Sequence, residues 1–239
     1  AMAIQTRLVD YRHNDVDLRG LLAWDDEAAG PRPGILISHT WAGRGPFEDG
    51  KAVALAEQGY VAMALDMYGT GILGSSPEEN AALMAPLVAD RSLLQARINC
   101  ALEVLRGQQE VESDKVVALG FCFGGLCVLD LARSAANVRG VVSLHGLFTP
   151  ADTPAQPIQA AVLCLHGYDD PMVPPDTVVA LADELTAAGA DWQIHAYGDT
   201  VHAFTNPAAD DKAAGTAFSE TANRRAWQSV ADFLQEVCA

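Results

Sequence analysis

Basic charge is scarce in this chain. Lys and Arg number 15 against 31 Asp and Glu across 239 residues, a net charge of −16 at neutral pH. With no basic stripe to neutralise phosphates, nucleic acid is excluded as a partner, and the long-range field works against anionic substrates. Cysteine is sparse too: the five present are odd in number, scattered, and form no C-x-x-C pair. This excludes a disulfide framework or a structural zinc site and points to a reducing, cytoplasmic location. No H-x-H or H-E-x-x-H spacing occurs, so neither a metal nor another cofactor is expected. Long apolar runs are missing as well. None reaches membrane-spanning length, and no charged-then-apolar leader opens the chain, so no membrane partner is expected. Ala1 before Met2 reads as a cloning remnant, with the native start at Met2. With no internal repeat or interdomain linker, residues 1–239 are expected to form a single domain, as a monomer or homodimer.

What is present is apolar, with 50% hydrophobic residues against 19% charged, enough for a large core. Residues 4–11 and 17–24 read as strands around the turn-prone His13-Asn14-Asp15, an antiparallel pair at one sheet edge. A buried strand over 34–38 leads into a Gly-rich loop and a helix over 47–58, which ends at Gly59. Next come a strand over 60–65, a loop over 66–77 and a largely helical stretch over 78–106, kinked near Pro86. Further strands are expected at 138–144, 161–165 and 192–196, with helices at 176–188 and 216–237. The Pro-rich stretch 149–158 reads as a loop over the site. Strands alternating with helices imply a mostly parallel sheet covered on both faces.

Residues 115–125 carry the chemistry: Lys-Val-Val-Ala-Leu-Gly-Phe-Cys-Phe-Gly-Gly. A β-branched strand over 115–119 runs into G-x-C-x-G, and a helix over 126–133 follows. This is a nucleophile elbow with cysteine at the turn. The glycines let helix and strand cross where side chains would clash, and the helix start favours a thiolate at Cys122. In parallel sheets ligands bind beyond the carboxyl ends of the strands. That rim collects His39-Thr40-Trp41, Asp66-Met67-Tyr68, Cys122, His145-Gly146, Asp169-Asp170 and Val201-His202. The order nucleophile, acid, histidine is that of an α/β-hydrolase fold. One oxyanion donor is expected from the backbone N–H of Phe123, the residue after the nucleophile, and a second from the loop after the 34–38 strand. His39, His145 and His166 are read as imidazoles that hydrogen-bond loop backbone.

Residues G-F-C-F-G-G, G-Y-D-D-P-M-V-P and H-A-F-T-N-P, with R-P-G-I-L-I-S-H and A-L-D-M-Y-G, resemble the dienelactone hydrolases, a cysteine branch of the α/β-hydrolase fold. The resemblance implies Cys122 as nucleophile, Asp170 as orienting acid and His202 as general base, and it points to Trp41 for the second oxyanion N–H. Asp169 is the competing carboxylate, and the family spacing from Gly167 selects Asp170. Phe121, Phe123, Tyr68, Phe148 and Phe204 are candidates for an aromatic pocket.

Three departures bear on substrate. The arginines with which the family grips a substrate carboxylate correspond here to Thr70 and Asn206, and its loop glutamate corresponds to Thr40. Without the bidentate clamp, the expected substrate is a neutral small-molecule ester, either an aryl ester or a lactone, cleaved through a thioester. The alternatives are hydrolysis of neutral phosphotriesters by the same cysteine, dienelactone hydrolysis proper, and a non-enzymatic binding or redox-sensor scaffold.

Overall fold

The more buried positions alternate along the first segments of the chain, Val9 and Tyr11 in one and Leu18, Gly20 and Leu22 in the other, as a hairpin with one covered face requires. The computed structural model describes residues 3–239, so the reading of Ala1 and Met2 lies outside it. Strands β1 (Ile4–His13) and β2 (Val16–Asp25) pair antiparallel in continuous register. Between them Asn14 takes a positive φ of 54°, a conformation its short side chain tolerates. Then come β3 (Arg32–Ser38), α1 (Pro46–Ala56), β4 (Val61–Ala64), α2 (Pro77–Ala89), α3 (Arg91–Arg106), β5 (Val111–Phe121) and α4 (Phe123–Arg133). The second half runs β6 (Gly140–Leu144), β7 (Ala161–Gly167), α5 (Pro175–Ala187), β8 (Trp192–Tyr197), the short β9 (Asp210–Asp211) and β10 (Thr216–Ala217), and α6 (Glu220–Val237).

The main sheet has eight strands in the order β1-β2-β4-β3-β5-β6-β7-β8. From β4 to β8 every pairing is parallel, and the hairpin adds antiparallel strands at one edge. This is the α/β-hydrolase architecture expected of the sequence. Side chains alternate across the sheet. Val141, Val162 and Cys164 pack with Leu94, Ile98, Leu126 and Leu181 of α3, α4 and α5. Val142, Leu163 and Leu165 pack with Leu55, Ala226, Val230 and Phe233 of α1 and α6. Fully burying one such Leu or Phe contributes about 1.5–3 kcal/mol, so the central strands fix the register of everything at their ends.

Some elements differ from expectation. The helical stretch after the 66–77 loop breaks at Asp90, not at Pro86, which sits inside α2. Asp90 leaves helical geometry at φ −123° and ψ 86°, and its side chain accepts from the Leu93 N–H at 2.9 Å, capping α3. A side chain able to cap a new helix outweighs one lost hydrogen bond at the proline. The last helix begins at Glu220, because Thr216 and Ala217 pair with β9 instead. Residues 149–158 do not cover the site. They carry the parallel crossover from β6 down to the start of β7, and Pro150, Pro154 and Pro157 keep it from being the usual helix. Buried Arg91 and Arg133 hold it from below. They donate to the Thr149 carbonyl while both pair with the fully buried Asp130 carboxylate.

Candidate active site

At the end of β5 the chain must turn sharply to enter α4, and the sequence provides for this with glycine. A Cβ at Gly120 would strike the Gly124 carbonyl, and one at Gly124 would strike the Ser38 carbonyl. Between them Cys122 adopts φ 56° and ψ −116°, a conformation that costs of order 1–3 kcal/mol for a non-glycine residue. The Cys122 N–H donates to the Leu144 carbonyl at 3.1 Å, tying the elbow to β6. His145 (φ 38°) and Ala203 (φ 59°) are also at positive φ, so backbone strain gathers around this rim.

His202 reaches the elbow from the loop after β8. Its backbone is held on both sides: its N–H donates to Gly215 at 3.0 Å, and its carbonyl accepts from Ala217 at 3.1 Å. The β9–β10 ribbon is therefore what places the imidazole, a role sequence reading missed by assigning Thr216 to a helix. The His202 Nδ1–H donates to Asp170 Oδ2 at 2.7 Å, with both residues buried. Asp170 Oδ1 accepts from the Met172 N–H at 2.8 Å, so the carboxylate is fixed at both oxygens. Asp169 is exposed and turns to the Thr200 N–H at 3.3 Å. Of the adjacent carboxylates, only Asp170 meets the histidine.

Burial pushes the His202 imidazole down, but the neighbouring Cys122 charge and the Asp170 hydrogen bond outweigh it, raising its pKa to about 10. Nε2 is buried and makes no hydrogen bond to another nitrogen or oxygen among the described residues, and Cys122 is the group beyond Asp170 that acts on this ring. The other rim histidines are neutral supports. Burial lowers the pKa of His39, lowers that of His145 far below the ordinary range, and lowers that of His166. His39 bonds loop backbone as expected. His145 instead pairs through Nε2 with the Thr205 hydroxyl at 2.8 Å and lies edge-on to the His202 ring, 5.4 Å between centroids. His166 packs against Phe148, and neither of its ring nitrogens has a hydrogen-bond partner among the described residues.

The loop after β3 offers a free donor beside the elbow. The Thr40 N–H donates to Glu48 Oε1 at 3.1 Å, and the Thr40 carbonyl accepts from the His39 ring at 2.6 Å and from Gly43 at 3.2 Å. The Trp41 carbonyl accepts from the Tyr68 hydroxyl at 2.9 Å, and the Ala42 carbonyl from Gly74 at 2.9 Å. Of the backbone N–H groups of Thr40, Trp41 and Ala42, that of Trp41 alone is left without an acceptor among the described residues. Phe123, as the first residue of α4, likewise has no intrahelical acceptor for its N–H. Buried Glu48 is a residue sequence reading passed over. Its signal was the G-P-F-E spacing, since it sits three residues after the helix cap at Gly45 and also accepts that N–H at 3.0 Å.

The remaining expected residues are divided between the two faces of the sheet. Tyr68 and Phe123 stack on the Cys122 side, 5.9 Å between ring centroids, and Phe148 packs in the same cluster. Phe121 and Phe204 depart from the expected pocket: both are fully buried in the core on the α1 and α6 side, where Phe204 backs the His145 ring. Thr70 is exposed, with its N–H on the Asp17 carbonyl. Asn206 is half-buried, and its side chain caps the Ala208 N–H at 3.0 Å. Among the described residues no group of histidine, cysteine and carboxylate side chains is placed to hold a metal ion, and no helix is long and apolar enough to cross a membrane.

This arrangement can be set beside known proteins. An uncharacterized protein of Caenorhabditis elegans is 34% identical over 158 residues, 64% of this chain and 100% of that protein. The solved structure of m3DLH superposes with a TM-score of 0.92 at 33% identity, covering 99% of this chain and 100% of the other. That of a dienelactone hydrolase-like promiscuous phosphotriesterase from metagenomic libraries gives 0.90 at 33% identity, covering 98% and 99%. Residues 18–238 match the dienelactone hydrolase family. With the match running from β2 to the end of α6, the chain belongs to the dienelactone hydrolase family of hydrolases.

Proposed function

We propose that this hydrolase acts on neutral carboxylic esters, aryl esters or lactones, with Cys122 as nucleophile, His202 as acid and base, and Asp170 as the group that orients the imidazole. The observation that carries the reading is the 2.7 Å Asp170–His202 hydrogen bond, which fixes the tautomer and leaves Nε2 for the cysteine at the elbow. Against burial, the neighbouring sulfur and the Asp170 hydrogen bond favour the protonated form of His202, so the imidazole takes the Cys122 proton as attack begins. The thiolate adds to the ester carbonyl carbon, and the new oxyanion is held by the N–H groups of Trp41 and Phe123. The tetrahedral adduct collapses, and the departing alkoxide or aryloxide takes the His202 proton. Water then gives a proton to the neutral imidazole and adds to the thioester. Collapse of that adduct expels the Cys122 thiolate and releases the acid.

Substrate charge follows from the rim. Neither Thr70 nor Asn206 offers a cation, and the whole chain carries a net charge of −16, so an anionic dienelactone finds no clamp. A second reading rests on the phosphotriesterase relative at 33% identity. The same thiolate and N–H donors would accept a neutral phosphotriester, whose phosphoryl oxygen takes the oxyanion place.

The test is hydrolysis of p-nitrophenyl butyrate and a diethyl aryl phosphate by wild type and Cys122→Ala in reducing, metal-free buffer. The ester rate is expected to fall by ~10³ or more in the variant. Equal rates in the two proteins would end the cysteine reading. Neither turnover nor a Cys122 adduct with the phosphate would remove the second reading alone.

A further inference from the structure

Building on the esterase reading, the geometry points to His39 as the positioning residue of the oxyanion hole: its ring aims the Trp41 N–H through the Thr40–Trp41 peptide. A trans peptide is planar, and its N–H points opposite to its C=O. Whatever fixes the Thr40 carbonyl therefore fixes the direction of the Trp41 N–H. That carbonyl accepts from His39 Nδ1 at 2.6 Å, the shorter of its hydrogen bonds, with Gly43 at 3.2 Å the longer. The donor is itself held. His39 Nε2 accepts from the Met67 N–H at 3.0 Å, so the tautomer is set with the proton on Nδ1.

The ring is fully buried between Tyr68, 4.8 Å between centroids, and Phe123, 6.2 Å. It therefore bridges the post-β3 loop, which carries one oxyanion donor, to the post-β4 loop, and it packs against the residue carrying the other donor. Glu48 fixes the preceding peptide through the Thr40 N–H, which leaves His39 to fix the peptide that matters. An amide whose carbonyl already accepts a short hydrogen bond is also a stronger N–H donor, because chains of hydrogen bonds polarise one another. The imidazole touches no substrate atom in this role and keeps its proton throughout the reaction.

The two ring nitrogens can be separated by substitution. His39→Asn keeps a donor near the Nδ1 position and loses the acceptor for Met67. His39→Gln keeps an acceptor near the Nε2 position and loses the donor to Thr40. For each variant, two rates at the Cys122 peptide are measured by mass spectrometry. One is acylation by p-nitrophenyl butyrate, which needs the oxyanion hole; the other is alkylation by iodoacetamide, which needs the thiolate and no oxyanion hole. Expected is a loss of acylation in His39→Gln of about tenfold or more, part of the ~10²–10³ that removing a whole oxyanion donor costs. His39→Asn should stay closer to wild type, and alkylation should be unchanged in both. Equal acylation losses in the two variants, or alkylation falling in step with acylation, would overturn the inference. A wild type that is alkylated but never acylated at Cys122 would remove the esterase reading and this inference together, a pattern distinct from either.

Discussion

Cys122, His202 and Asp170 come from three different loops, and each is held by backbone hydrogen bonds made before any substrate arrives. The pH dependence follows from His202. Its folded pKa is raised from 6.5 to about 10, so its protonation stabilises the folded state fully below about 6.5, and that contribution is lost as pH rises through about 10. On the mechanism proposed above, the same titration sets an alkaline limit on catalysis. An alkyl ester needs a proton for its poor leaving group, and the imidazolium that supplies it disappears on the alkaline side. We expect kcat/KM for an alkyl ester to fall as pH rises through about 10, while that for a p-nitrophenyl ester, whose leaving group needs little protonation, holds. A common alkaline limb for both esters would contradict the assignment of His202 as acid. At this scale the candidate site could be proposed from sequence, because G-x-C-x-G and the Gly167–Asp170 spacing are local patterns, and the structure brings Asp170, not Asp169, onto His202. What stayed hidden were Glu48 and the β9–β10 ribbon, whose contributions depend on contacts between segments distant along the chain.

Among the elements, the break between α2 and α3 shows how a cap can decide a boundary that proline does not. Pro86 drew attention in the sequence because it lacks an N–H, yet the helix continues through it and stops only where Asp90 can accept from Leu93. Asp90→Ala should lower unfolding stability by about 0.5–2 kcal/mol, read as a lower denaturant midpoint at unchanged m-value. A midpoint equal to wild type would mean the cap contributes nothing here. Thr216 was misread for a related reason: two-residue strands leave no periodicity to detect, and the turn chemistry of Gly215, at φ 88°, was the available signal. The crossover over 149–158 was correctly seen as irregular, but its place was not. A parallel β6–β7 pair obliges the connection to run the length of the sheet, and that follows only from knowing the strand order.

Over the whole molecule, strand order puts β5 at the middle of the sheet, with β3 on one side and β6 on the other. The elbow therefore opens beside the loop carrying Trp41, while His202 and Asp170 arrive from beyond β7. The alternation of strands and helices made the fold class legible, since a long, strongly apolar strand pattern has few other uses. The order β1-β2-β4-β3 was not legible, because which strands neighbour each other depends on packing of the two hydrophobic layers. That order gathers the rim residues into one site, and the central claim is that a thioester forms there on Cys122. The most direct measurement is rapid acid quenching of wild type during turnover of p-nitrophenyl butyrate, followed by mass spectrometry of the digested protein. The account predicts one butyryl group on Cys122, located by fragmentation of its peptide, which also carries Cys127, and none on Cys100, Cys127, Cys164 or Cys238. Turnover with an unmodified Cys122, or an acyl group on another side chain, would contradict it.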